Sequence, residues 1–298
     1  MEEDKVRGEG MMTAENNHIP GWKYYNHAAI PTTAPHENPD LTPLKDGRIW
    51  RIEDKKPLLV RYTTDWDCGY DTGWWYLIKD APFDISTLSS NSRKHIKEAF
   101  RKVRVEKIDP KEYVDALYEC YHQAYLGYKQ ADNEDSYDSF KLRCEKSALL
   151  GLEFWAGFSQ DSGKLVGYLM LGPHEDWAEI YTSKFHPDYL KLRVSDALYA
   201  FVLDYYLNGQ KKKYVSSGSR SINHVTNTQE YKEQHFGYRK CYCRLHVLYR
   251  PFYKLIFKVL FMFRGLISVL GGRFTLAHRI VAVLKMEEIA RKSCRRDS

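Results

Sequence analysis

The chain reads as an α/β (α+β) protein. A mixed central sheet is flanked by helices, with extra strands before it and an amphipathic helical tail behind it. Three observations predict this. Between Arg104 and Arg250 the expected order is strand, two helices, three strands in quick succession, helix, strand, helix, strand. That order is neither a regular βαβ alternation nor an all-β run. The composition is that of an ordinary globular protein, 43% apolar and 28% charged over 298 residues, enough chain for one large domain or two small ones. Finally, an apolar segment with helical period and a strong positive charge follows Arg250.

Residues 1–46 hold Gly8, Gly10, Pro20, Pro31, Pro35, Pro39 and Pro43 with little periodicity. They predict an extended lead-in, anchored by the aromatic run Trp22 to Tyr25. Residues 47–103 come next. Strands are expected over Arg48–Glu53, Leu58–Thr64 and Trp74–Lys79, separated by turn-type segments. A basic helix is expected over Ser86–Val103, carrying Arg93, Lys94, Lys97, Arg101 and Lys102.

Residues 104–250 form the expected core. Val105–Asp109 reads as a short strand, and Pro110 suits the first turn of a helix reaching about Tyr128. A second helix runs from about Ser136 to Leu150. Strands follow at Glu153–Ser159, Leu165–Leu171 and Trp177–Phe185, the first two joined by the tight turn Asp161-Ser162-Gly163. In Val194–Leu207 the residues Ala197, Leu198, Phe201, Val202 and Tyr205 recur at helical spacing, and Asn208-Gly209 ends the helix. Tyr214–Gly218 is a strand, Thr228–Phe236 a helix stopped by Gly237, and Tyr242–Tyr249 a last strand.

The composition excludes several function classes. Six cysteines, at 68, 120, 144, 241, 243 and 294, make neither a CxxC pair nor a Cys/His cluster at zinc spacing, so reduced thiols and no metal site are expected. The first thirty residues carry Glu2, Glu3, Asp4 and Glu9 and no apolar stretch, so no secretory signal is expected there. A cytoplasmic protein is expected, peripheral to the inner membrane face if its tail meets lipid. Sequences of the Gly-x-Ser-x-Gly, Walker A and His-Glu-x-x-His types do not occur, which removes serine-hydrolase, P-loop and zincin readings.

Four segments carry a resemblance. They are SSNSRKHIKEA from Ser89, KLVGY from Lys164, FHPDY from Phe185 followed by Ala197-Leu198, and YKEQHFG from Tyr231. With the order of elements, they resemble the GNAT acyltransferases, in particular the Fem-type branch. That branch includes peptidoglycan-bridge aminoacyltransferases and acetyltransferase-like proteins. The strands of 48–79 resemble a remnant of the first of two GNAT-like halves. The resemblance implies an acyl- or aminoacyltransferase that needs no metal, because the acceptor attacks the donor directly in a positioned complex. It implies acyl-CoA, acetyl-CoA above all, as co-substrate, or charged tRNA in a close variant. The acceptor would be an amine or hydroxyl on a small or lipid-linked cell-envelope precursor.

The resemblance also implies that the fourth and fifth strands splay apart to hold the donor. Here those strands end in Tyr181, Thr182 and Ser183, and in Ser216, Ser217, Ser219 and Ser221. Tyr181, Ser183, Ser216 and Ser217 are therefore candidate donor ligands. Typical GNAT chains follow the fourth strand with a Gln/Arg-x-x-Gly-x-Gly/Ala loop that receives pyrophosphate on backbone N–H groups. This chain has Tyr189-Leu190-Lys191-Leu192-Arg193-Val194-Ser195, without glycine. Lys191, Arg193 and Ser195 are left to meet a phosphate by side chain. Glu179 is the candidate base and alternatively an outward-facing strand charge. Alignment on Gly237 leaves the general acid open between Tyr231 and Glu233. His186, Asn223 (beside His224) and Lys232 are candidate acceptor ligands, with turn capping or solvation as the competing roles.

Residues 251–298 form the tail. From Arg250 onward eleven Lys/Arg face three Asp/Glu, while the preceding 249 residues are slightly acidic. In Pro251–Gly272 only Lys254, Lys258 and Arg264 interrupt the apolar run, and a second helical segment spans Thr275–Arg291. Three charges argue against a simple span. Two placements follow: contact with a membrane surface, or packing on protein as a helical hairpin. A catalytically silent scaffold tethered by this tail is the alternative to an enzyme.

Overall fold

The computed structural model describes residues 17–127, 134–222, 227–265, 267 and 275–294. The chain divides into two compact units. The larger comprises 76–219 and 226–240, and the smaller comprises 1–75, 220–225 and 241–298.

The smaller unit starts with strands β1 (Trp22–Tyr25) and β2 (Ala28–Pro31), joined through Asn26 and His27, both at positive φ. Two such residues make a primed hairpin turn. The expected lead-in thus contains a real hairpin, hidden in sequence because neither turn residue is glycine. Helix α1 (Thr42–Lys45) and strand β3 (Leu59–Thr64) follow.

The strand expected over Arg48–Glu53 is not formed. Gly47 sits at φ 82° and opens a 3-10 turn over Arg48–Trp50. Ile49 and Ile52 are both fully buried, which is helical rather than alternating spacing. They join Ile19, Trp22, Ala29 and Val60 in a small core. The last strand, β11 (Arg244–Tyr249), pairs antiparallel with β3, giving the order β1-β2-β3-β11. Helices α7 (Pro251–Met262) and α8 (Thr275–Cys294) complete this unit.

The larger unit is built on the sheet order β10-β4-β9-β8-β7-β6-β5. Its strands are β4 (Trp75–Lys79), β5 (Val103–Ile108), β6 (Glu153–Ser159), β7 (Leu165–Pro173), β8 (Trp177–Phe185), β9 (Tyr214–Ser219) and β10 (Arg239–Tyr242). Most expected strands form within one or two residues of their predicted bounds. The basic helix α2 (Ser90–Lys102) begins later than expected, because Ile85–Thr87 makes a separate 3-10 turn. Ser89 caps α2 by accepting from the Ser92 amide at 3.1 Å. Helices α3 (Val114–Leu126) and α4 (Tyr137–Leu149) cover one face, burying Leu117, Tyr121, Phe140 and Phe154.

Helix α5 (Val194–Leu203) is the central packing element. Val194, Ala197, Leu198, Ala200, Val202 and Leu203 are fully or nearly fully buried. Each large aliphatic side chain so placed contributes roughly 1.5–3 kcal/mol. The helix was expected to run to Leu207, but Asp204–Gly209 loosens into a π turn. Asn208 draws it open, since its side-chain amide both accepts from the Phe83 N–H (3.1 Å) and donates to the Phe83 carbonyl (2.7 Å).

The start of α5 sits on a glycine of β7. A Cβ at Gly167 would lie 2.8 Å from Val194 Cγ2 and 2.9 Å from Phe185 Cδ1. Gly167→Val is therefore expected to destabilise the protein by about 2 kcal/mol through overpacking. A urea denaturation midpoint checks this, and an unchanged midpoint refutes it.

Candidate active site

Strands β8 and β9 run parallel, with the pairs Trp177↔Tyr214, Ala178↔Val215 and Glu179↔Ser216. There the ladder ends, although both strands continue. β8 stays on β7 as far as Phe185, and β9 stays on β4 as far as Ser219. The strands therefore part in a wedge whose closed end is Glu179 and Ser216. Backbone donors and acceptors along the open edges need partners, so the wedge can take an extended ligand as an added strand would be taken.

A β-bulge helps to part the strands. The register of β7 and β8 shifts between Met170↔Thr182 and Leu171↔Ile180, leaving Tyr181 as the extra residue. A bulge bends its strand and increases its twist. It also flips the alternation. Ala178 and Ile180 enter the main core before the bulge, and Phe185 packs against the same core after it. Ser183 thereby comes to accept a hydrogen bond from Tyr199 of α5, at 2.9 Å. The Tyr181 ring covers Gly172, where a Cβ would lie only 2.5 Å from it.

No family model and no curated protein matches the chain by sequence. Solved structures do match in three dimensions. FemX aligns over 79% of this chain and 85% of that one, with 8% identity and a TM-score of 0.56. L-PGS from Bacillus licheniformis aligns over 91% and 86%, with 14% identity and a TM-score of 0.48. A GCN5-related N-acetyltransferase from Sphaerobacter thermophilus aligns over 77% and 76%, with 12% identity and a TM-score of 0.42.

The chain has the GNAT fold.

Beside this wedge the most distinctive group is Lys232 on α6 (Thr228–Phe236). Lys232 and Phe236 are four apart and both buried, so they share the inward face of the helix. Gly237 ends the helix in the left-handed conformation, φ 66°. The Lys232 side chain is 2% exposed. Its Nζ donates to Ser217 Oγ and lies 4.5 Å from the centroid of the Tyr199 ring. Burial draws its pKa down to about 7. Ser183, Tyr199, Lys232 and Ser217 thus form one chain of contacts from β8 to β9.

A second cluster sits at the start of α5. The Tyr231 hydroxyl donates to the Asp196 carboxylate at 3.0 Å and lies 3.3 Å from Ser195 Oγ. Burial raises the Asp196 pKa, opposed by the Tyr231 hydrogen bond. Burial and then the Asp196 charge raise that of Tyr231. Tyr231 therefore keeps its proton at neutral pH.

The remaining candidates spread out. At the closed end, Glu179 lies 4.0 Å from where a Gly218 Cβ would be, and beside Tyr181, whose pKa is pushed up to about 12 by burial and then by the Glu179 charge. Ser216 is buried and accepts from the Gly218 amide at 3.0 Å, shaping the bend in β9. Arg193 takes a left-handed φ of 59° and is tied to Glu98 at 3.2 Å. Lys191 is exposed on a 3-10 turn. His186 caps that turn by accepting from the Asp188 amide at 3.3 Å. Glu233 pairs with Lys240 at 3.5 Å. Asn223 and His224 lie outside the described residues.

Sequence reasoning missed Tyr199 and Asp196. A signal for Tyr199 was present, because Ser195 and Tyr199 are four apart on the helix that follows the splayed strand. Asp196 was marked only by standing in the first turn of an otherwise apolar helix.

Lys232 has a measurable consequence for stability. Its folded pKa of about 7 lies below the ordinary value of 10.5. Between those values the unfolded chain binds the extra proton, so stability rises as pH climbs from 7 towards 10.5. The destabilisation is complete below about 7. Lys232→Met is expected to be more stable than the native chain at pH 6, by roughly 2 kcal/mol, with a smaller difference at high pH. Urea midpoints at pH 6 and 9 test this, and a pH-independent difference contradicts it.

Proposed function

We propose that this protein is a transferase that moves an acyl group from an activated donor to an amine or hydroxyl acceptor in the wedge between β8 and β9. The observation that carries this is Lys232, a dry lysine with a pKa of about 7, hydrogen-bonded to Ser217 just beyond the point where the strands part. Enzymes tune a lysine into this range to move protons at neutral pH.

In the proposed reaction the acceptor nitrogen or oxygen attacks the donor carbonyl. The new C–N or C–O bond forms, and the bond to the donor's sulfur or oxygen breaks. The acceptor proton passes to the Ser217 hydroxyl, which gives its own proton to neutral Lys232. The hydrogen bond between Ser217 and Lys232 reverses direction when the lysine is uncharged. The lysine then returns that proton through Ser217 to the departing sulfur or oxygen and is left neutral again, while Tyr231, its O–H held by Asp196, stands beside Tyr199. Glu179, at the closed end of the wedge, orients the acceptor.

The fold is compatible with an acyl-CoA as the activated donor. A second reading, with an aminoacyl ester of tRNA as donor, draws support from the start of α5. No glycine loop stands there, Arg193 is occupied by Glu98, and Asp196 adds a carboxylate. A pyrophosphate is poorly served by that arrangement. The resemblance to Fem-type proteins points the acceptor towards a cell-envelope precursor.

Calorimetric titration with acetyl-CoA, a longer acyl-CoA and charged tRNA separates the readings. Saturable CoA binding supports the first, and salt-sensitive tRNA binding without CoA binding supports the second. Binding of neither favours a silent scaffold. With the donor in hand, Lys232→Met and Lys232→Arg are both expected to lower kcat by roughly 100-fold or more, and native kcat/KM is expected to rise with pH through about 7. Retained activity in Lys232→Arg would mean that the charge, not the proton transfer, is what matters.

A further inference from the structure

Helix α7 belongs to the smaller unit and has no part in the proposed chemistry. Its half-buried face is made by Tyr253, Phe257, Leu260 and Phe261. Phe257 stacks on Tyr249 at 4.4 Å, and the Arg291 guanidinium lies 4.0 Å from the Phe261 ring centroid. That face is occupied.

The opposite face is also apolar, and it is open. Phe252, Leu255, Met262 and Phe263 are 74%, 68%, 71% and 56% exposed, with Ile256 and Val259 between them. At 100° per residue these six side chains fall within an arc of about 120°. Lys254 and Lys258 lie on one flank of the arc, and Arg264 follows the helix end; all three are exposed. From Gln234 to Met286 the sequence contains no Asp or Glu at all, while Arg239, Lys240, Arg244, Arg250, Lys254, Lys258, Arg264, Arg273, Arg279 and Lys285 fall within it.

Large apolar side chains clustered in the open mark an interaction site. The charge pattern selects the occupant. An apolar arc with lysines along one flank, in a segment without acids, suits a helix lying in the headgroup region, its apolar side chains dipping towards the acyl chains and its lysines reaching anionic headgroups. A second copy of this face would bring cations against cations with no acid in the segment to pair them. Among the described residues no helix is long and apolar enough to cross a bilayer. We infer that the exposed face of α7 is a docking surface for an anionic lipid bilayer, with Phe252, Leu255, Ile256, Val259, Met262 and Phe263 entering the interface and Lys254 and Lys258 meeting the lipid phosphates.

Co-sedimentation of the full chain with vesicles of phosphatidylcholine and phosphatidylglycerol at about 7:3 tests this. Binding is expected, falling by roughly tenfold or more on pure phosphatidylcholine and with rising salt. Leu255→Glu with Val259→Glu is expected to abolish binding. Lys254→Glu with Lys258→Glu is expected to weaken it roughly tenfold and flatten its salt dependence. All four positions are exposed, so thermal melts should match those of the native chain. Failure to bind anionic vesicles overturns the inference, as does binding that neither pair of substitutions changes. A dimer in sedimentation velocity that Leu255→Glu with Val259→Glu dissociates, without vesicle binding, assigns the face to a second copy and also overturns it.

Discussion

The larger unit depends on where β8 and β9 stop pairing. Parallel strands in a covered sheet normally satisfy each other's backbone groups along their shared length. Here that exchange ends at Glu179 and Ser216, and the strands diverge while each keeps its other neighbour. Unmade backbone hydrogen bonds are costly in a dry setting, so such an opening persists only where the surroundings over-determine it. The bulge at Tyr181 bends β8, the bare Cα of Gly172 lets the Tyr181 ring lie flat, and Gly167 lets α5 close against β7. A ligand that restores the missing pairs recovers what the sheet gave up.

Burial then sets the electrostatics. Lys232 is driven towards the neutral amine, and Asp196 and Tyr231 are driven towards their protonated forms. All three shifts have the same leading cause, loss of water, and all reduce the charge near the wedge. In a region of low dielectric, a charge that develops on a reacting atom is felt more strongly by fixed dipoles and nearby groups than it would be in water. Tyr199 connects the elements, with its hydroxyl on Ser183, its ring under Lys232 and another aromatic, Tyr231, 6.5 Å away.

Much of this was legible in the residues. Short strand-type runs and the turn Asp161-Ser162-Gly163 identified β6, β7 and β8, helical spacing identified α5, and Gly237 marked the end of α6. Lys232 and Ser217 both stood among the sequence candidates. What sequence reading mistook were places where two periods compete. Arg48 to Glu53 offers apolar side chains that suit a strand, but the left-handed turn at Gly47 and the burial of both Ile49 and Ile52 select a 3-10 turn. The end of α5 looks regular until the Asn208 amide is claimed by the Phe83 backbone, 125 residues away. His186 and Glu233, also sequence candidates, have structural partners: one caps a turn and the other pairs with Lys240.

The sequence by itself determined the element order from β5 to α6, the fold class and the segregation of positive charge into the tail. These follow from local period, turn chemistry and composition, which neighbours along the chain encode. Tertiary structure decided which hydroxyls face one another, which lysine loses its water, and which apolar face of α7 stays open. Those outcomes depend on contacts between residues far apart in the chain. Ser183 meets Tyr199 only because a one-residue bulge reverses the alternation of β8, and Lys232 acquires its low pKa only because the elements around α6 exclude solvent from it. Desolvation is a property of the packed surroundings of a side chain and has no local signature in the sequence.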